Sequence, residues 1–111
     1  MKKPNNITDI VEKNKLEIIE ALKPIIDNYL ERYAVELSEE EEVHLNLNNA
    51  ISCNFNMSDE NQIFYIYSRM RTSKMDIANR LAEIYAKNGW TTSTRNKDKL
   101  NEPSIVFSIK T

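Results

Sequence analysis

Apolar residues recur every three or four positions from Ile7 to Leu37: Ile7, Ile10, Val11, Ile18, Ile19, Leu22, Ile25, Ile26, Tyr29, Leu30, Tyr33, Ala34 and Leu37. That spacing marks one face of a helix, so it predicts a helix over 7–37, with Asn6 or Thr8 able to cap its start. Pro24 interrupts the run, because proline has no N–H to donate and disfavours helical geometry at the preceding Lys23. The stripe keeps phase across Pro24. One kinked helix is therefore favoured over a pair of helices, the second with Pro24 in its first turn.

After Glu42 the period falls to two. Val43, Leu45 and Leu47 alternate with His44, Asn46 and Asn48, which predicts a strand with His44 on its wet face. Asn48-Asn49 offers a two-residue turn, and Ile51, Cys53, Phe55 and Met57 alternate again as a second strand. A competing pattern is a helix over 38–49, with Ser38 as cap and Glu41 completing a capping box. Ser58 to Gln62 is a polar turn, and Ile63-Phe64-Tyr65-Ile66-Tyr67 is β-branched and aromatic throughout, which suits a central strand.

A second helix is predicted over Lys74 to Asn88, capped by Thr72 or Ser73, with Met75, Ala78, Leu81, Ala82 and Tyr85 on its buried face. Gly89 stands where a left-handed C-cap belongs, and Trp90 can fold back on the last turn. Trp90 to Arg95 reads as a strand, Asn96 to Pro103 as a polar loop, and Ser104 to Lys110 as a last strand with Ile105, Phe107 and Ile109 on one face. The fold class is α+β: an N-terminal kinked helix or helix pair, and an antiparallel sheet of four or five strands with a second helix packed on it. With 111 residues, no internal repeat and no linker, residues 1–111 form a single domain.

Composition narrows the chemistry. The chain has one glycine, one histidine and one cysteine. A P-loop, a dinucleotide fingerprint and a G-x-S-x-G elbow each need more glycines than Gly89 supplies. Cys53 and His44 are only half of a structural zinc site, so no metal and no cofactor are expected. Cys53 with His44 could in principle act as nucleophile and base, but Cys53 sits in the alternating apolar run and reads as a small core residue. Asp59-Glu60 lies in a turn and Glu39 to Glu42 is a solvated run, so no paired-carboxylate site is evident. The chain is expected to have no catalytic residues and not to be an enzyme. No apolar run approaches the ~20 residues of a membrane span, the basic start has no apolar segment behind it, and a single cysteine suits a reducing compartment. These features point to the cytoplasm and to no membrane partner.

Charge is unevenly spread. Residues 1–64 carry thirteen acids against six bases, and residues 65–111 carry nine bases against four acids, for a net charge of −2. Such a split either marks a partner surface or is neutralised inside the monomer. Two groups of bases are tight: Arg69, Arg71 and Lys74 at a helix start, and Arg95, Lys97 and Lys99 in the polar loop. Together they are the candidate binding residues, for phosphates or for an acidic protein. Tyr65 and Tyr67 could stack bases if their face were open, although packing against helix 74–88 is the expected place for them.

Asn, Ile and Lys are abundant and Gly and Ala scarce, a bias of low-GC genomes. The C-terminal half, with Ile63 to Tyr67, Leu81 to Trp90 and Ile105 to Ile109, resembles small accessory proteins of tailed phages in its layout. That resemblance implies a protein that binds a host or phage macromolecule, often to inhibit it, or a minor virion component. The leading expectation is a small binding protein, a phage-encoded inhibitor or modulator acting through a protein–protein interface in the host cytoplasm. The alternative is nucleic-acid binding by the basic half. The long stripe on 7–37 also predicts a homodimer through that helix.

Overall fold

The computed structural model describes residues 1–56, 62–96 and 101–109. Helix α1 runs Pro4–Arg32 without a break. Pro4 takes the first helical position, where a missing N–H costs nothing, and the Asn6 side-chain oxygen accepts the Lys3 N–H at 3.2 Å. The helix continues through Pro24, and the interruption falls later, at Tyr33, before a short helix α2 (Ala34–Ser38). Ser38 ends this helix rather than starting one: its Oγ donates to the Val35 carbonyl at 2.7 Å.

Strand β1 is Val43–Asn46, with Val43 and Leu45 buried and His44 exposed. The chain then turns into helix α3 (Leu47–Asn54), capped by the Asn46 side chain, which accepts the Asn49 N–H at 3.0 Å. The turn expected at Asn48-Asn49 and the strand over 51–57 are thus replaced by a helix in the described part, through Asn54. Leu47, Ala50 and Ile51 are buried at helical spacing, and an asparagine cap supplies the start signal. The strand expected over Ile63 to Tyr67 is also a helix, α4 (Ile63–Arg69), which buries Ile63 and Tyr67 one turn apart. A short apolar run fits either element by pattern alone, and packing decides. Here the run lies against α1 and α3.

Helix α5 (Thr72–Lys87) buries Ile77, Ala78, Leu81, Ala82 and Tyr85. Neither Thr72 nor Ser73 caps it; Arg71 holds the N-cap position and makes no side-chain cap bond. Its C-terminus is a Schellman turn: the Trp90 N–H reaches the Tyr85 carbonyl and the Gly89 N–H that of Ala86, both at 3.1 Å. Strands β2 (Thr91–Asn96) and β3 (Pro103–Ser108) follow. The described strands form one antiparallel sheet in the order β1-β3-β2, with Leu45 opposite Ile105 and Thr94 opposite Ile105 on its other side. Among the described residues the sheet has three strands where four or five were expected, because two of the expected strand segments form α3 and α4. Ile109, expected on the last strand, lies beyond β3 and is exposed.

The helices cover one face of the sheet. Ile105 and Phe107 are fully buried there, and Tyr85 and Trp90 meet the Phe107 ring edge-on at 5.5 and 6.0 Å. Thr92 and Thr94 hold α5 to β2 by donating to the Ala82 carbonyl and the Asn79 side chain. The second half of α1 joins the same core through Ile18, Ile19, Leu22, Ile26 and Leu30.

Candidate functional site

The first half of α1 stands apart from that core. The molecule measures 55 × 28 × 27 Å, and a helix of 29 residues is about 43 Å long, so α1 sets the long axis. Its last ties to α5 toward the N-terminus are ionic. Arg80 grips Glu12 with both terminal nitrogens, Nη2 at 3.0 Å, while its Nε lies 3.1 Å from Asp76. Lys15 Nζ meets Asp76 at 3.0 Å. The hydrogen bond from Arg80 holds the Glu12 carboxyl below its ordinary range, and that from Lys15 does the same for Asp76. Before Glu12, residues 4–11 project about 12 Å, with Ile7 50%, Ile10 44% and Val11 36% exposed on one side. The stripe predicted over 7–37 is therefore divided: its buried positions from Ile18 onward serve the monomer core, and its first turns face solvent.

The basic residues gather at the N-terminal end of α5. Arg69 lies over the ring of Tyr65, at 5.4 Å, and Lys74 over that of Tyr67, at 5.0 Å. Burial pushes the Lys74 ammonium below its usual range, and nearby Glu102 partly offsets this. Tyr67 is buried and donates to the Asn48 side chain at 2.7 Å, so it offers no ring to a base. Tyr65 is partly exposed. Arg71 and Arg95 are exposed and make no ion pair among the described residues. The β2–β3 end is brought to the α4–α5 link by Asn101, whose side chain donates to the Met70 carbonyl at 3.4 Å, and is itself closed by the Glu102 N–H, which donates to Asn96 Oδ1 at 3.0 Å. The structure thus draws both chain segments to one end of the molecule, with Glu102 among them. Lys97 and Lys99 lie outside the described residues.

A cleft was not foreseen. Between α1, β1 and α3 lies a cavity of about 410 Å³, lined by Asn28, Tyr29 and Arg32 of α1, His44 and Asn46 of β1, and Asn49, Cys53 and Asn54 of α3, over an apolar floor of Ile25, Leu45 and Ala50. Tyr29 donates its hydroxyl to the His44 carbonyl, which fixes β1 against α1. Burial, with Tyr33 close by, raises the Tyr29 phenol above its usual range. Cys53, expected in the core, is exposed on this cleft. Period-two alternation would put Cys53 on the same face as Ile51, whereas in a helix a residue two positions from buried Ile51 points to the other side. The clue available in the sequence was Asn46, a helix cap three residues before Asn49.

Among the described residues no group of three or more His, Cys, Asp or Glu is placed to hold a metal ion, and no helix is long and apolar enough to cross a membrane. No family model, curated protein or solved structure matches the chain.

Proposed function

We propose that this chain is a small, non-enzymatic binding protein that works through a protein–protein interface on the projecting half of α1. The observation that carries this reading is the row Ile7, Ile10 and Val11, held on a helix clear of the core and open to solvent. Monomers seldom leave such a row uncovered unless it binds something, and an amphipathic helix docks by anchors at this spacing. The occupant that the chain itself supplies is a second copy. With two arms antiparallel, Ile7 and Val11 of one arm meet Val11 and Ile7 of the other, so the two apolar rows cover each other. In this reading the protein is a phage-encoded inhibitor or modulator of a host macromolecule in the host cytoplasm, a reading supported by its small size and its Asn-, Ile- and Lys-rich composition.

The test is the double variant Ile7→Asp, Val11→Asp in the full chain. Both positions are exposed, so circular dichroism and the thermal midpoint should be unchanged. Sedimentation should show reversible dimers of the wild type at high micromolar concentration and monomers of the variant. A wild type that stays monomeric and captures the same proteins as the variant would remove the arm as an interface.

Nucleic-acid binding is the second reading, favoured by exposed Tyr65 beside Arg69 and by exposed Arg71 and Arg95, which make no ion pair among the described residues. It ranks lower because Lys74 is already engaged with Tyr67 and Glu102 puts a carboxylate in the same patch.

A further inference from the structure

We infer that the cleft between α1, β1 and α3 is a binding site for a small molecule bearing an oxyanion, a carboxylate or a phosphate group. Its volume of about 410 Å³ lies within the range of small-ligand pockets. Its chemistry is one-sided. The end of α1 carries Asp27 and Glu31, and the stretch joining it to β1 carries Glu36 and Glu39 to Glu42, yet no carboxylate lines the cavity. What lines it instead is a guanidinium, an imidazole and the side-chain amides of four asparagines.

Arg32 is the fixed charge. It makes no ion pair among the described residues, so its fork of donors is free for an oxyanion. Asn28, one turn back on α1, and Asn49, on the first turn of α3, bring amide donors from two sides. Glu42 approaches His44 Nε2 no closer than 3.8 Å and does not line the cavity, which leaves Arg32 as the dominant local charge. The apolar floor of Ile25, Leu45 and Ala50 limits the ligand to a compact one with some hydrocarbon surface.

Cys53 gives a reporter, since it is the chain's only thiol and faces the cleft. Iodoacetate and iodoacetamide alkylate the same thiolate and differ in charge. The ratio of their rates therefore cancels any effect on the thiol itself and records the potential the reagent meets. Relative to the urea-unfolded chain, the native protein should favour iodoacetate by about three- to fivefold, as expected of one unit charge a few ångströms away in water. Arg32→Gln should return the ratio to that of the unfolded chain, and Arg32→Lys should keep most of it. NMR titrations with sodium phosphate and with sodium acetate, against chloride at equal ionic strength, should shift the Arg32 and Asn49 side-chain resonances, with loss of the response in Arg32→Gln. A response to phosphate alone or to acetate alone names the oxyanion. An unchanged alkylation ratio with no anion-specific shift at Arg32, or shifts equal to those at Arg71 and Arg95, would overturn the site.

Discussion

Gly89 is the single glycine of the chain and holds φ +101 just past the end of α5. An added Cβ there would meet nothing within 4 Å, so the residue is needed for its backbone alone. Gly89→Ala should cost about 1–2 kcal/mol, the penalty of a left-handed conformation with a Cβ, and Gly89→Asn less. Urea unfolding of the two variants checks this, and equal midpoints for wild type and Gly89→Ala would show that the turn relaxes. This position was legible from sequence because a helical stripe, a lone glycine and an aromatic follow in the order that a Schellman turn requires. Cys53 was not legible. Its neighbours Ile51 and Phe55 suit a strand as well as a helix, and α3 packs on α1 and β3, both distant in sequence, as well as on its neighbours β1 and α4.

Elements were legible in proportion to their length. α1 and α5 repeat their apolar period over many turns, and β2 and β3 fell within one or two residues of where alternation put them. α3 and α4 have two turns each, and a run such as Ile63 to Tyr67 carries too few periods to separate 3.6 from 2. What the pattern could not show is how α1 and α5 are tied. Arg80 with Glu12 and Asp76, and Lys15 with Asp76, lie more than fifty residues apart in sequence, apart from the pair within α5. Folding lowers the Glu12 and Asp76 carboxyls below their ordinary values of 4.5 and 3.8. Groups shifted this way add stability that is present above those values and is lost as pH falls through the lower, folded ones. Glu12→Gln should therefore lower the urea midpoint near neutral pH by a small amount, since the carboxylate is solvated. The gap to wild type should close in acid, once the pH has fallen through the lower, folded value. A gap that persists there would mean that Glu12 acts by packing rather than by charge.

At the scale of the whole molecule, the acidic and basic halves are partly spent on each other. Arg80 of the basic half takes Glu12, and Lys15 of the acidic half takes Asp76, so the split in composition overstates the field outside. Of the six bases singled out from sequence, four lie in the described residues, and Arg69 and Lys74 rest on aromatic rings. The salt dependence of duplex DNA binding counts how many of them meet phosphate. Each phosphate neutralised adds about −0.9 to the slope of log affinity against log salt. Arg69, Arg71, Lys74 and Arg95 together allow about −3.6, and full use of Lys97 and Lys99 would bring it to roughly −5. With Lys74 held on Tyr67 and Glu102 opposing phosphate in the same patch, binding should be weak, indifferent to sequence and no steeper than about −3. Replacing Arg69, Arg71 and Arg95 by Gln should abolish it without changing the thermal midpoint, because none of the three side chains is buried. Fluorescence anisotropy on a duplex across a salt series measures all of this. A sequence-specific, sub-micromolar complex at physiological salt with a slope near −5 would instead place nucleic acid ahead of protein as the partner and make the basic end, rather than the α1 arm, the working surface.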